Sequence, residues 1–236
     1  MTKLVAAANA GPAEWLVAAL TTFAELVLSL VPSGFAAYVR IFHPASQDGR
    51  RVRWAEIAEA NGRRTHAGMQ LPALTGDYRF LSVGQPAVFD QPPRVGSFPS
   101  ELAEPLVDLL RPHTNTPETC WFAVWSGFGN TRGDIAAAPT FSLPGREYHL
   151  AAGSIEAFRD SASSGFGYQS SNIWWPDDRA WCVATEIDLN STYVGCSEAC
   201  SKALLSAPEL EALRIDPSTG ISWTRDRINS APSRSS

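Results

Sequence analysis

Residues 170–195 read SSNIWWPDDRAWCVATEIDLNSTYVG, and the fold turns on how this run is parsed. From Asp178 to Leu189 the residues alternate as a strand does. Arg179, Trp181, Val183, Thr185, Ile187 and Leu189 fall on one face, and Asp178, Ala180, Cys182, Ala184, Glu186 and Asp188 on the other. Side chains two apart on one face of a strand stand about 7 Å from each other. Glu186 and Asp188 are therefore expected to be neighbours, beside the small Ala184 and Cys182 and opposite Trp181. Such a pair can work as acid and base or hold a hard cation. It can equally pair with an arginine from an adjacent strand, for which Arg40 and Arg146 are the candidates.

Upstream, WWPDDR (174–179) has the chemistry of a corner. Pro176 fixes φ, and aspartates after proline bond to nearby backbone amides. Trp174 and Trp175 must point in different directions if the chain is extended, which sends one inward and leaves the other to border a cleft. Arg179 can pair with Asp177 or stack on an indole face. Two readings follow: a platform for an aromatic, sugar-like or peptide ligand, built from Trp174, Trp175, Asp177, Asp178, Arg179, Glu186 and Asp188, or a stapled corner of the fold.

The remaining chain bounds the function. Its 236 residues are 44% hydrophobic and 18% charged, with a net charge of -5. Lysine occurs only as Lys3 and Lys202, so the clustered cations that neutralise a phosphate backbone are missing, which argues against nucleic acid. The arginines of GRRVRW (49–54) and NGRR (61–64) read as a solvated face or a small-anion patch. Cys120 and Cys182 sit in apolar runs. Cys196 and Cys200 form one close pair where a zinc site needs two, so no metal or cofactor is expected. With no secretory leader, a cytoplasmic setting is expected.

Residues 13–31 imitate a membrane span, but Glu14, Thr21, Thr22, Glu25 and Ser29 recur on one side of Leu16, Leu20, Phe23, Leu26, Val27 and Leu30. The pattern predicts an amphipathic helix and no membrane partner. Further helices are expected over 53–62, 100–110, 154–160, 197–206 and 208–215, and strands over 35–45, 119–129 and 146–153. Residues 63–99 read as an irregular excursion with a short strand at 76–84, Asn190-Ser191-Thr192 as turn chemistry, and 229–236 as a disordered tail. Strands do not alternate strictly with helices, and no glycine-rich loop joins a strand to a helix. The expected fold is therefore a single α+β domain over 1–228 with a mainly antiparallel sheet flanked by helices.

PSGFAAYVRIFHPA, HTNTPETCWFAVWSGFG, REYHLAAG and NIWWPDDRAWCVATEIDLNSTYVG, in that order, resemble a group of uncharacterised actinobacterial proteins over residues 30 to 215. The resemblance implies an organism type and a cytoplasmic setting and carries no catalytic residue. The residues themselves contain no zinc-protease, serine-hydrolase or phosphate-loop signature. The expectation is a non-catalytic binding or regulatory module. Its groove would lie between the WWPDDR corner, the glycine loops at 127–130 and 163–172, and the Glu186/Asp188 face, with a small-molecule or protein partner. The alternatives are a hydrolase or lyase using Glu186 or Asp188 with His149 or His43, and a structural protein that assembles through a symmetric apolar patch, the oligomeric state being left open.

Overall fold

The alternating runs become strands because both faces of each find apolar cover. The structure, a computed structural model, describes residues 3–23, 25–76, 88–165 and 167–229. In chain order its elements are β1 (Val5–Ala6), α1 (Glu14–Ala19), β2 (Ala37–Phe42), β3 (Ala45–Gln47), β4 (Arg50–Val52), α2 (Trp54–Ala60), α3 (Leu71–Thr75), α4 (Ala103–Leu110), β5 (Cys120–Trp125), α5 (Gly133–Ala136), β6 (Thr140–Leu143), β7 (Arg146–Gly153), β8 (Ile173–Pro176), β9 (Cys182–Ala184), β10 (Ser191–Cys196), α6 (Glu198–Ser206) and β11 (Ala212–Arg214). Among the described residues, nine strands form one sheet in the order β1-β7-β5-β8-β9-β10-β2-β11, with β6 also on β7. Every neighbouring pair is antiparallel, and β3 with β4 makes a separate hairpin. The fold is α+β with a mainly antiparallel sheet.

Parity sorts the aromatic residues between the two faces of that sheet. Trp174, Trp181 and Val183 join Phe122, Val124 and Val194 beneath α4, α6 and the turn at 155–159. Trp175, Cys182 and Ala184 point the other way, to Tyr148, Leu150 and Tyr193, and are covered by α1 and the segments around Leu30 and Ile221. Trp174 is stacked on Phe158 at 4.1 Å and on Phe122 at 5.9 Å, with the edge of Trp181 at 4.7 Å. A third cluster joins Phe42 to Trp54, Ile57, Met69, Leu71 and Leu74 of the α2 and α3 region.

Several expectations are corrected. The helix expected over 13–31 stops at Ala19, and Leu20 is extended (φ -96°, ψ 96°). Beyond it only one short turn forms, at Val27–Ser29, and the backbone also bonds to a distant partner: the amide of Val27 donates to the carbonyl of Thr219, that of Leu28 to Pro217, and that of Ile221 to Glu25. The helix expected over 208–215 is replaced by β11, which completes the β2 edge. The strand expected over 178–189 survives as β9 alone. Thr185–Asn190 turn back over Gly96, whose φ is +75° and where an added Cβ would lie 2.4 Å from the Ile187 carbonyl oxygen. Asn190-Ser191-Thr192 leads into β10, and α3 lies inside the stretch read as irregular. The strand expected at 76–84 falls almost wholly outside the described residues, as does the tail from 230. Asn229, placed in that tail, is buried and bonded to Arg64.

Trp174→Ala should lower unfolding free energy by about 3–5 kcal/mol, the usual cost of emptying a large aromatic site, read from urea unfolding at constant slope. Trp174→Phe should cost clearly less. It keeps the stack and deletes an indole N–H that has no described hydrogen-bond partner.

Candidate functional site

The WWPDDR run folds as a corner with its aspartates and its arginine already engaged. Trp174 and Trp175 are both buried, so neither borders a cleft as expected. Asp177 accepts from the Trp121 indole N–H at 2.9 Å. Asp178 accepts from the Thr114 hydroxyl at 2.8 Å and from the amides of Asn115 at 2.7 Å and Ala180 at 3.1 Å. Partial burial would raise the Asp178 carboxyl, and these hydrogen bonds more than offset it, holding the group below its ordinary value. Arg179 takes a left-handed conformation (φ 54°) and lays its guanidinium over Trp15 at 5.2 Å. The two glycine loops are pinned to each other, Asn130 Nδ2 donating to Ser163 Oγ and the Ser164 amide to the Asn130 carbonyl.

The acid pair meets Arg146. Arg146 Nε donates to Glu186 Oε1 at 3.0 Å, and its NH2 lies 2.9 Å from the same oxygen and 2.8 Å from Asp188 Oδ2. The Glu186 side chain is 4% exposed and that of Asp188 72%. Phe23 and Trp125 cover the guanidinium, at 4.7 and 5.7 Å. The adjoining cavity, lined by Leu20, Tyr148, Ile173 and Ala184, holds about 30 Å³, the space of a water molecule. Neither candidate histidine joins the pair. His149 follows Tyr148 on β7 and so faces away from Arg146 and Glu186, its Nδ1 3.4 Å from the Ala138 carbonyl oxygen. His43 is buried with both nitrogens occupied, Nδ1 by the Arg94 carbonyl at 2.7 Å and Nε2 by the Thr192 hydroxyl at 2.9 Å. Burial, with the nearby cationic arginines, pushes its pKa down to about 4.

The arginines of the β3–β4 hairpin border a recess of about 300 Å³, but each is committed. Arg50 pairs with Glu56 at 2.8 Å, Arg51 donates to the Glu209 carbonyl and Arg53 to the Pro208 carbonyl. Among the described residues, no three His, Cys, Asp or Glu side chains are grouped to hold a metal ion, and no helix is long and apolar enough to cross a membrane.

A different set of side chains converges where residues 63–70 meet residues 216–229. Arg40 of β2, buried in the sheet, donates to the carbonyls of Ala67 at 2.9 Å and Met69 at 2.7 Å and so hangs the first loop from the core. Asp226 ties the second loop to it. Its Oδ1 accepts from the amides of Ile228 and Asn229, and its Oδ2 from the Gln70 amide and Asn229 Nδ2. Burial alone would raise this carboxyl; these donors more than offset that and keep it low. His66 Nε2 lies 3.0 Å from Asp226 Oδ1. Asn229 Nδ2 also lies 3.2 Å from His66 Nε2, but its two hydrogens serve Asp226 and the Arg64 carbonyl, which assigns the proton on Nε2 to the bond with Asp226.

The other imidazole nitrogen, Nδ1, has no hydrogen bond to a described residue. It is turned toward Gly68, where an added Cβ would lie 3.6 Å from it. His66 and Gly68 line a recess of about 410 Å³ with Ser218, Thr219, Arg225 and Arg227. Gly220 lets the Arg225 stem lie against it, since a Cβ there would meet Arg225 Cγ at 2.9 Å. No hydrogen bond or ion pair with a described residue engages either guanidinium. Leu26 and Ile228, 38% and 48% exposed, supply an apolar rim, and Glu25 one carboxylate. Sequence reasoning passed over this set because His66 and Asp226 are 160 residues apart; the local signal was the Asp-x-x-Asn of DRIN (226–229). Comparison of the chain with protein-family models, curated proteins and solved structures gives no match, so the chemistry rests on this geometry.

Arg146→Ala should destabilise the fold by about 3–5 kcal/mol, because it strands the buried Glu186 charge. Asp188→Ala, at an exposed pair, should cost under about 1 kcal/mol; denaturant unfolding measures both. His43 binds its proton far less readily folded than unfolded, so the unfolded chain holds more protons between about pH 6.5 and about pH 4. Its contribution is complete above about pH 6.5 and is lost as pH falls toward about 4, a loss of roughly 3 kcal/mol. Unfolding midpoints measured down this range should fall less steeply for His43→Gln than for the parent.

Proposed function

We propose that the protein is a ligand-binding module whose site is the His66 recess, and that its ligand is a small organic anion with a short apolar arm. The observation that carries this reading is an imidazole fixed through one nitrogen by a buried carboxylate, with its other nitrogen beside Gly68 at a recess bearing two guanidinium groups that no described residue engages. Guanidinium forks suit carboxylate and phosphate oxygens, and the exposed Leu26 and Ile228 suit an alkyl or aryl group. The volume lies within the range of small-molecule sites. A groove at the WWPDDR corner is less favoured, since its aspartates are engaged and its tryptophans buried. A reducing, cytoplasmic setting suits the four free buried thiols.

Benzoate is the simplest probe. Titration followed by calorimetry and by amide chemical shifts should show saturable binding, with shifts gathered at residues 66–68, 218–220 and 225–228. Arg225→Ala/Arg227→Ala should weaken binding at least about tenfold, the loss of roughly 1.4 kcal/mol. Shifts that cluster elsewhere, or affinity unchanged in the double variant, would refute the assignment.

A further inference from the structure

We infer that the recess is also a hydrolytic site, in which His66 activates water against an ester carried by the bound anion. This rests on the binding reading above and adds a reaction to it. The support is the order of the hydrogen bonds. Asp226 is held by four protein donors besides His66, so it stays in place when the imidazole changes charge. Its bond to Nε2–H fixes the tautomer that presents a lone pair at Nδ1, and an adjacent fixed carboxylate stabilises the imidazolium formed on proton uptake. That lone pair is unclaimed by any described residue and lies beside Gly68, which lines the recess together with His66 and the two cations. A carboxylate that only pinned two loops together would be served by its four other donors without an imidazole.

The chemistry balances with water as the only co-reactant. Nδ1 takes a proton from water as the water oxygen bonds to the acyl carbon. The carbonyl electron pair moves to oxygen, beside a guanidinium, while the other guanidinium holds the ligand's carboxylate. The tetrahedral adduct collapses with cleavage of the acyl C–O bond, and the leaving oxygen recovers the proton from His66. The products are a carboxylic acid and an alcohol or phenol. His66 is the catalytic residue, and Asp226 is a positioning residue acting through it.

The probe is 4-acetoxybenzoate, the acetyl ester of 4-hydroxybenzoate, which keeps the carboxylate and ring of benzoate and releases a phenol that is followed by its ultraviolet absorbance. The protein should accelerate release saturably, by about 100-fold or more over buffer, as expected of a positioned general base. His66→Ala should return the rate to within a few fold of buffer while benzoate still binds, and added imidazole should restore part of it, which a merely structural role would not allow. Asp226→Asn should lower kcat far more than it raises KM. If that variant does not fold, His66→Ala with imidazole decides alone. Benzoate binding without ester hydrolysis, or hydrolysis that survives His66→Ala, overturns the catalytic inference and leaves the binding reading intact. Absence of benzoate binding removes both.

Discussion

A guanidinium sits inside this protein without a carboxylate of any described residue against it, and the candidate site hangs from it. Arg40 is buried on β2, and burial depresses its affinity for its proton. It is kept there by neutral acceptors, the Ser191 hydroxyl and the carbonyls of Ala67 and Met69. The faces of Phe42, Trp54 and Tyr193, at 4.5 to 5.7 Å, add cation–π attraction. Asp226 and Glu211 favour the charge from farther off. Losing any of these acceptors would leave a desolvated cation short of partners, so the loop carrying His66 is held by the high cost of letting go.

The same economy governs the aromatic corner. WWPDDR looks like a binding platform because tryptophan and aspartate are what platforms use, yet here the indoles are buried and the aspartates bonded internally. One indole packs on each side of the sheet, and the aspartates bond to the loop at 114–116 and to the Trp121 indole of β5. A sheet covered on both faces needs side chains that fill volume in both directions at its centre, and adjacent tryptophans in a strand do that in two residues.

What could be read from the chain divides along physical lines. Strand parity was legible because it is local: Trp174 and Trp175 do diverge, and Trp181 does oppose Cys182 and Ala184; Arg146 on β7 does claim Glu186 and Asp188, but these stand on a turn and not on a strand face. The 13–31 helix was misread for a reason the sequence cannot display, since its amphipathic period is real but Val27 and Leu28 find backbone acceptors at 219 and 217. Residues 208–215 carry helix-forming Glu, Leu and Ala, yet an open sheet edge recruited them as β11. The His66–Asp226 pair was invisible for the same cause: its two halves meet only after the sheet has brought distant segments together.

The edges of the sheet have a bearing on the protein's life at high concentration. β1 contributes two residues at one margin and β11 three at the other, with β6 and β1 sharing the outer side of β7. A margin this short exposes few unpaired amides and carbonyls, and Arg214 on β11 adds a charge paired with Glu198. A second chain therefore finds little ladder to extend, so a broad, strongly apolar sheet is insulated from edge-to-edge growth into aggregates.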